Sequence, residues 1–498
     1  MNPFILYTLC LAGFASCHKP DQAGQNDLAP KEVLSTKAAS SRLGVNSIAG
    51  ANWADARDNF ANDSLVLTGL SITDSYATVQ STSDKVVSGF QTLGINTIRL
   101  PLNPQTVLSP WWGSYQGAID KAVSKNMKVI VAVWEASNSK DGRIDDVTKF
   151  WNLWQVVVNK YGSNPNVYFE PFNEPHGYSV TDLKSIYLDW LSRYPSVPRG
   201  RVVIGGAGYC TDVNSIGSDS QFDGCLLGYH NYAFFNTSIT SVNGWDVKFG
   251  QDLIYPTRTI ITEFGCPMTT GKNYTGSATD GELAYLQSIT DVMNNRGIAS
   301  VYWPGLRMKM DRTYIDSYSL TTFDGNALTV TNTTGLARLK YAWSLNDSPG
   351  GPFPSFDTGA YYRFVNRKSG KVLDVSQSSL SNGASIIQWP SNGGNNQQWN
   401  ITSAGTGTFT LTNRNSAKVL DVTNASLAQG TALIQYQNNN GLNQQWRITD
   451  LGGGYYRIVN RESGLALDVN GSSTADGAGI IQWPSQGGTN QQWQLIKL

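Results

Sequence analysis

Two glutamates lie where paired carboxyl chemistry would need them. Glu174 belongs to an Asn-Glu-Pro motif just after an apolar run at 166–172, and Glu263 ends a second run at 258–263 and is followed by Phe-Gly. Two opposed carboxyl groups can cleave a glycosidic bond, because one protonates the leaving oxygen while the other attacks the anomeric carbon. Either glutamate alone would fit a structural salt bridge equally well, so the elements that position them matter.

The chain up to residue 346 alternates apolar, β-branched runs with amphipathic stretches. This alternation predicts a (β/α)₈ barrel over residues 43–346, with functional groups at the carboxyl ends of its strands. The ends of strands four and seven face each other across the barrel mouth, so Glu174 and Glu263 are expected to meet there. The predicted strands are 44–52, 96–102, 127–134, 166–172, 201–204, 225–229, 258–263 and 298–303, and predicted helices include 85–93, 117–125, 149–160, 181–194 and 282–296.

The C-terminal part contains three copies of one unit. Leu-Asp-Val recurs with its aspartate at 374, 421 and 468, and Gln-Gln-Trp recurs with its tryptophan at 399, 446 and 493, so both motifs repeat every 47 residues. Short alternating strands separated by Gly, Asn and Ser turns indicate an all-β domain. Three such units predict a β-trefoil over 359–498, after a Pro/Gly-rich linker at 347–358.

The barrel segment resembles glycoside hydrolase family 5 over residues 43–345. The resemblance implies that Glu174 is the general acid/base and Glu263 the nucleophile of a double-displacement hydrolysis of O-glycosyl bonds. It further implies that Arg99 keeps the nucleophile charged, that Asn173 binds the sugar 2-hydroxyl, and that the Trp303 ring lies beneath the bound sugar. His230 and Tyr232 match the pair that orders the two glutamates.

One residue of the family pattern is absent. A histidine is expected after strand three, whereas Trp134 and Glu135 occupy that position. Trp134 is a candidate for stacking on a sugar, and Glu135 either accepts sugar hydroxyls or forms a structural ion pair. The substrate therefore stays open between a β-glucan, as for cellulases, and an exo-cleaved furanoside or galactan. A surface protein that only binds glycan is the alternative from a different functional class.

The repeats resemble the ricin-type lectin family, which implies a carbohydrate-binding module that targets the enzyme to its glycan. In that family an aspartate and an asparagine bind adjacent hydroxyls while an aromatic ring covers the apolar sugar face. The alternative is that the aspartates and asparagines have only a structural role and stabilise turns. The matching residues are Asp374, Trp389 and Asn396 in the first repeat, Asp421, Tyr436 and Asn443 in the second, and Asp468, Trp483 and Asn490 in the third.

Weaker candidates lie elsewhere in the barrel. Trp53, Trp111 and Trp112 follow strands one and two and are either stacking subsites or packed aromatics. His176 follows the Asn-Glu-Pro motif and is expected to hydrogen-bond near the acid rather than to act on substrate.

Composition narrows the partners. With 37 Lys+Arg and 37 Asp+Glu the formal net charge is zero, which gives no electrostatic signal for nucleic acid or an anionic membrane. Cys210, Cys225 and Cys266 have no Cys-x-x-Cys spacing, so we expect no metal site and at most one disulfide, for which Cys210 and Cys225 are the candidates. A polysaccharide or oligosaccharide substrate, a glycan ligand of the trefoil, no cofactor and a monomeric state are expected.

The N-terminus resembles a bacterial lipoprotein signal. A short apolar run ends in small residues before Cys17, and polar residues follow. The resemblance implies a signal peptide over 1–17, lipidation of Cys17 and a flexible tether over 18–42. We therefore expect an exported protein, either an outer-membrane or cell-surface lipoprotein or a secreted enzyme cleaved near this point, with any membrane contact made through the lipid.

Overall fold

The computed structural model describes residues 48–136, 139–343, 345, 356–357, 359–405, 408–451 and 453–498. The signal peptide with Cys17, the tether and most of the linker lie outside this part of the chain, so those assignments stay predictions. Among the described residues, no helix has both the length and the apolar composition that crossing a membrane requires.

Eight parallel strands form the barrel, as predicted. They are ordered β4-β3-β2-β1-β8-β7-β6-β5, and a parallel bridge between Phe169 and Val202 joins the two ends of this sheet. Boundaries shift by a few residues, so that His230 and Tyr232 lie within β6 rather than after it. The strands are β1 Ala49–Trp53, β2 Thr97–Leu102, β3 Lys128–Val133, β4 Val167–Glu170, β5 Val203–Gly205, β6 Leu226–Tyr232, β7 Thr259–Gly265 and β8 Ala299–Leu306.

Amphipathic helices surround the strands. Helix α1 begins at Tyr76, nine residues before the predicted start at 85, because the polar first turns still bury Val79 and Ser83 and are capped by the Ser75 side chain. The helices are α1 Tyr76–Thr92, α2 Pro104–Val107, α3 Trp112–Ser124, α4 Val147–Tyr161, α5 Val180–Arg193, α6 Ala207–Cys210, α7 Val213–Gly217, α8 Val242–Asp252, α9 Gly281–Arg296 and α10 Thr333–Ala342.

Side chains inside the barrel are layered, which fixes where a ligand can enter. One layer is apolar and includes Ile130, Val203, Ile260 and Val301. A second cluster lies nearer the carboxyl ends of the strands and consists of Ala54, Ala132, Trp134, Tyr232 and Trp303. The polar residues of the candidate site are therefore placed at that end of a filled barrel.

The C-terminal domain is a closed antiparallel β-structure consistent with the predicted trefoil. Trp399, Trp446 and Trp493 are fully buried in its core, and each indole nitrogen donates to a leucine carbonyl 26 residues earlier. Two short strands, β9 Thr321–Phe323 and β10 Leu328–Val330, precede it. Its strands are β11 Tyr361–Asn366, β12 Val372–Val375, β13 Ala384–Trp389, β14 Trp399–Gly405, β15 Thr408–Asn413, β16 Val419–Val422, β17 Leu433–Tyr436, β18 Trp446–Asp450, β19 Tyr455–Asn460, β20 Ala466–Val469, β21 Ile480–Trp483 and β22 Gln492–Lys497.

A buried ion pair joins the trefoil to the barrel. Arg457 of β19 contacts Asp246 of α8, which also accepts a hydrogen bond from Ser288 Oγ at 2.6 Å. Arg447 Nη2 donates to the Asn294 carbonyl at 3.4 Å. Removing the whole trefoil would take away the cation of Asp246 and uncover this face of the barrel, so deletion of the domain would disturb the barrel as well.

Cys210, Cys225 and Cys266 are buried free thiols. The disulfide considered between Cys210 and Cys225 is therefore not formed in this structure. Burial raises the pKa of each thiol above its ordinary value, which disfavours the reactive thiolate.

Candidate active site

Glu174 and Glu263 meet at the carboxyl ends of β4 and β7. One carboxylate oxygen from each, together with a ring nitrogen of His230, lie within 4.8 Å of one another. Glu174 follows β4 with a φ of 48°, a left-handed conformation that is uncommon for a non-glycine residue and that recurs at functional sites. Barrel closure thus brings together two carboxyl groups that are distant in the sequence.

A buried arginine organises the acidic groups beneath the site. Arg99 of β2 donates from Nη1 to Glu263 Oε1 at 2.6 Å and to Asn52 Oδ1 at 3.0 Å. Its Nε and Nη2 bind both oxygens of Glu170 at 2.7 Å, and Nη2 also donates to Asn173 Oδ1 at 2.6 Å. Such bidentate, charge-assisted bonding fixes the guanidinium and favours the ionised form of the carboxylates that it touches.

His230 and Tyr232 connect the two glutamates. His230 Nδ1 lies 3.1 Å from Glu174 Oε1 and 3.7 Å from Glu263 Oε2, and its Nε2 lies 3.1 Å from Thr262 Oγ1. The Tyr232 hydroxyl donates to Glu263 Oε2 at 3.0 Å. Both oxygens of Glu263 therefore have a donor, whereas Glu174 contacts an imidazole that burial keeps neutral by lowering its pKa.

The protonation states differ between the two glutamates. Burial raises the pKa of Glu174 to about 7, and the negative charge of Asp58 adds to the rise while Arg99 and His176 oppose it. Burial also raises the pKa of Glu263, but there His230 and Arg99 act in the lowering direction. Because Glu263 accepts from Arg99 and Tyr232, the contacts favour its carboxylate form, and Glu174 is the group suited to carry a proton near neutral pH.

Two carboxylates and an imidazole are also a donor set that divalent metal ions use. Here the Arg99 guanidinium already binds Glu263 Oε1. A fixed positive charge at that distance would repel a cation, so the arrangement fits acid–base and nucleophilic chemistry better than metal binding.

A cavity of about 340 Å³ opens directly over the two glutamates. Aromatic rings form much of its wall, and an acidic and basic cluster forms another part. Tyr209, Tyr232, Phe234, Phe235, Trp303 and Tyr318 supply the rings, and Asp58, Arg307 and Asp316 supply the charges. Aromatic rings suit the apolar faces of a sugar, and the charged groups beside them suit its hydroxyl edges.

The residues in place of the missing histidine, Trp134 and Glu135, are not part of the lining of this cavity and line a neighbouring one of about 200 Å³. Trp134 is only 2% exposed and packs against Trp303 with ring centroids 5.3 Å apart, so it supports that ring from below. Glu135 accepts backbone N–H bonds from Asp141 at 3.0 Å and Gly142 at 2.8 Å. In this structure the Glu135 carboxylate holds the following loop through these two amides, and a sugar contact or an ion pair at Glu135 stays a prediction.

The weaker candidates are also accounted for. Trp53 and Trp111 are buried and donate their indole N–H to backbone carbonyls, and Trp112 stacks on Tyr115. They are packed aromatics rather than stacking subsites. His176 Nδ1 lies 2.9 Å from the backbone oxygen of Glu174, and the histidine ring stacks on Tyr209.

In each repeat of the trefoil, the predicted aspartate accepts hydrogen bonds from side-chain amides. Asn396 and Gln397 donate to Asp374 Oδ2, as Asn490 and Gln491 do to Asp468 Oδ2. In the second repeat Gln444 donates to Asp421 Oδ2, while Asn443 donates to the Val422 carbonyl. Trp389 is 40% and Tyr436 41% exposed, as a stacking ring must be, and Trp483 is partly exposed.

Several residues of the site were not predicted from the sequence. Glu170 carried a usable signal, because it is a charged residue in an apolar strand four positions before Glu174. Asn52 is likewise a polar residue that the structure buries at a strand end. Asp58, Tyr209 and Arg307 lie in or beside loops, where no periodicity distinguishes them from ordinary surface residues.

Comparison with known proteins agrees with this architecture. Residues 58–305 match the family model for cellulase, glycosyl hydrolase family 5, and residues 342–436 and 442–498 match the ricin-type β-trefoil lectin domain-like family. No curated protein matches the chain.

Among solved structures, the designed threefold-symmetric protein ThreeFoil is 53% identical over 28% of this chain and 99% of its own, with a TM-score of 0.28. The exo-β-1,3-galactanase 1,3Gal43A from Clostridium thermocellum is 44% identical over 30% of this chain and only 32% of its own, with a TM-score of 0.28. XacCel5A is 15% identical over 60% of this chain and 98% of its own, with a TM-score of 0.45. By the family models, a glycosyl hydrolase family 5 cellulase domain at residues 58–305 is followed by a ricin-type β-trefoil lectin-like domain.

Proposed function

We propose that the protein is a retaining glycosidase that hydrolyses O-glycosidic bonds of a polysaccharide. The observation that carries this proposal is the pair of opposed carboxyl groups, in which one oxygen of Glu174 and one oxygen of Glu263 lie within 4.8 Å of each other. Retaining enzymes hold their carboxyl groups about 5–5.5 Å apart, whereas inverting enzymes leave about 6.5–9.5 Å for a water molecule. The short separation leaves Glu263 in position for direct attack.

In the first step Glu174 donates its proton to the leaving oxygen while Glu263 attacks the anomeric carbon, and a covalent glycosyl ester forms. In the second step Glu174, now a carboxylate, removes a proton from water, whose oxygen attacks the anomeric carbon; the bond between that carbon and Glu263 breaks and the Glu263 carboxylate is released. Arg99 and Tyr232 stabilise the carboxylate of Glu263 on either side of these steps. Because Asn173 Oδ1 is bound by Arg99, its amide NH₂ is oriented as a donor for the sugar 2-hydroxyl.

The proposal predicts retention of configuration at the anomeric carbon. Aryl glycosides and β-linked glucans, mannans, galactans and furanosides would be screened, and the best substrate followed by ¹H NMR from the first turnovers. We expect the initially released sugar to have the anomeric configuration of the substrate, before mutarotation. An initially inverted product would contradict the covalent intermediate.

The same screen separates the candidate substrates. A β-glucan is the substrate that the family match favours, since the matching family is that of the cellulases. An exo-cleaved furanoside or galactan is the second candidate, because no histidine follows β3 and Trp134 is buried beneath Trp303. Hydrolysis of only one of these classes would identify the substrate.

We also propose that the trefoil retains the enzyme on its glycan. Three weak sugar pockets on one domain raise the effective concentration of the barrel at a polymer surface. Each pocket depends on an aspartate whose carboxylate is held by side-chain amides through Oδ2.

The triple variant Asp374→Asn, Asp421→Asn, Asp468→Asn is expected to lose at least about tenfold in retention on insoluble polysaccharide, because three acceptor carboxylates disappear together. Its kcat/KM on soluble aryl glycosides should stay within about twofold of the wild type. Co-sedimentation measures the first quantity, and Asp450→Asn, an exposed site in the same domain, is the matched control. These substitutions leave the Arg457–Asp246 ion pair intact, whereas deletion of the whole domain would remove it. Unchanged retention in a folded triple variant would refute the targeting role.

A further inference from the structure

Three charged residues, Asp58, Arg307 and Asp316, form a cluster on one wall of the cavity; we call it the charged trio. Arg307 immediately follows β8, and its Nη1 binds Asp58 Oδ2 at 3.0 Å and contacts Asp316. All three line the cavity with Glu174 and Glu263. Their side chains are largely removed from solvent, at 20% exposure for Asp58, 11% for Arg307 and 9% for Asp316.

The charged trio also joins two loops. Arg307 Nη2 lies 3.4 Å from the backbone oxygen of Ala56 in the loop after β1, and the Arg307 N–H donates to Ser319 Oγ at 3.0 Å in the loop after β8. Asp58 begins a short 3₁₀ turn with a φ of 58°, a left-handed conformation. A backbone held this way at a cavity wall suits a side chain with a positioning role.

The side of the cavity that receives the leaving group can be assigned from the acid. The Glu174 carbonyl contacts His176, whose ring stacks on Tyr209, and Tyr209 packs near Phe235. These rings follow β4, β5 and β6, whereas the charged trio follows β1 and β8, on the Trp303 side. The cavity therefore has a ring wall and a charged wall at different strand ends, and we assign the leaving group to the ring wall and the attacked sugar to the charged trio.

Two carboxylates and one guanidinium carry a net charge of −1, which offers both acceptors and donors to neutral hydroxyl groups. Adjacent hydroxyls of a sugar can bind a carboxylate and a guanidinium at once, in the bidentate manner of charge-assisted hydrogen bonds. Such bonds discriminate strongly, because a missing hydroxyl leaves a buried charged group without its partner.

We propose that Asp58 and Arg307 bind hydroxyls of a non-reducing terminal sugar, and that the charged trio blocks further chain on this side, so that the enzyme removes single sugars from chain ends. This inference rests on the proposed glycosidase function. It adds the mode of attack and the residues that select the sugar. The ligand class is a neutral terminal monosaccharide unit, whose ring lies over Trp303 and whose outer hydroxyls meet the trio.

The hydroxyl contact is tested with a 4-nitrophenyl glycoside and its monodeoxy analogues. The parent is chosen from the β-D-glucoside, β-D-galactoside, β-D-mannoside and β-D-galactofuranoside as the one that the wild type hydrolyses fastest. Asp58→Asn is expected to lower kcat/KM by about 10- to 100-fold, the range for a hydrogen bond to a charged group. One deoxy analogue should show a similar loss with the wild type and little additional loss with Asp58→Asn.

Asp63→Asn is the matched control, because Asp63 is an exposed carboxylate five residues on, paired with Arg57 rather than facing the cavity. If, for every deoxy analogue, the loss of kcat/KM caused by the missing hydroxyl and the loss caused by Asp58→Asn simply multiply, the proposed contact between Asp58 and a sugar hydroxyl is overturned. Should Asp58→Asn fail to fold, full activity of the wild type on every outer-hydroxyl deoxy analogue would overturn it as well.

The mode of attack is tested on the polysaccharide that the wild type degrades. We expect a single monosaccharide product from the first minutes, almost no early fall in viscosity, and resistance of oligosaccharides whose non-reducing end carries a bulky ether. A mixture of oligosaccharides with a rapid viscosity drop would overturn the exo inference and leave the glycosidase function intact. Failure of the proposed glycosidase function would give a different result, namely turnover that persists in the Glu263→Gln variant.

Discussion

Glu263→Ala is expected to reduce kcat for aryl glycosides by about 10⁴-fold or more, since removing a nucleophile that acts together with its acid eliminates the covalent route. The cavity left by the side chain lies beside the anomeric carbon and can admit a small anion. Sodium azide should therefore restore turnover and give a glycosyl azide of anomeric configuration opposite to that of the substrate. Steady-state kinetics and NMR of the azide product measure the two effects.

The same experiment separates the enzyme from a barrel that only binds glycan. Glu263→Gln keeps the size of the side chain and most of its hydrogen bonds, so a binding protein would be little affected in substrate affinity or in any background hydrolysis. An active wild type together with an inactive Glu263→Gln that still binds oligosaccharide would support the catalytic role. Activity of Glu263→Ala without azide, at the wild-type level, would refute it.

Glu174→Ala is expected to lower kcat/KM by about 10²- to 10⁴-fold for substrates with poor leaving groups, because these need protonation by the general acid. For 2,4-dinitrophenyl glycosides, whose leaving group needs no proton, formation of the glycosyl enzyme should change little. Hydrolysis of the glycosyl enzyme (deglycosylation) should then become slow, and this should be visible as a burst of dinitrophenol release. Equal losses for both kinds of leaving group would exclude Glu174 as the acid.

The pH profile provides a second readout of the same residue. Burial raises the pKa of Glu174 to about 7, and the acid must be protonated in the free enzyme. The kcat/KM of the wild type should therefore be maintained below this pH and fall about tenfold per pH unit above it, for substrates with poor leaving groups. This alkaline limb should be absent from Glu174→Ala, and its persistence there would assign it to another group.

Much of the fold was predictable because its signals are periodic. Barrel strands are buried on both faces, so β3 and β7 appear as nearly continuous apolar segments rich in β-branched residues. The trefoil was predictable from a different signal, the recurrence of the same motifs every 47 residues. Strand boundaries were less predictable, as at β6, where the buried polar pair His230 and Tyr232 interrupts the apolar pattern although the strand continues through Tyr232.

The candidate site was predictable only in part. Glu174 and Glu263 could be located because strand ends in a barrel point to one mouth. The roles of Trp134 and Glu135 could not be predicted, because a residue at a strand end can face the ligand, pack below it or hold a loop. In this protein the choice depends on Trp303, which covers Trp134, and on the loop at 141–142, whose amides bind Glu135.

The amino-acid sequence by itself determined the two-domain architecture, the threefold repeat and the positions of the two glutamates, because these depend on local periodicity and on motifs within a few residues. Only the tertiary structure decided that Arg99 would bind both Glu170 and Glu263, and that Asp58, Arg307 and Asp316 would line one wall of the cavity. These contacts join residues that barrel closure brings together from distant parts of the chain. Their geometry arises from packing and from electrostatics in a buried environment, for which no short sequence pattern provides a signal.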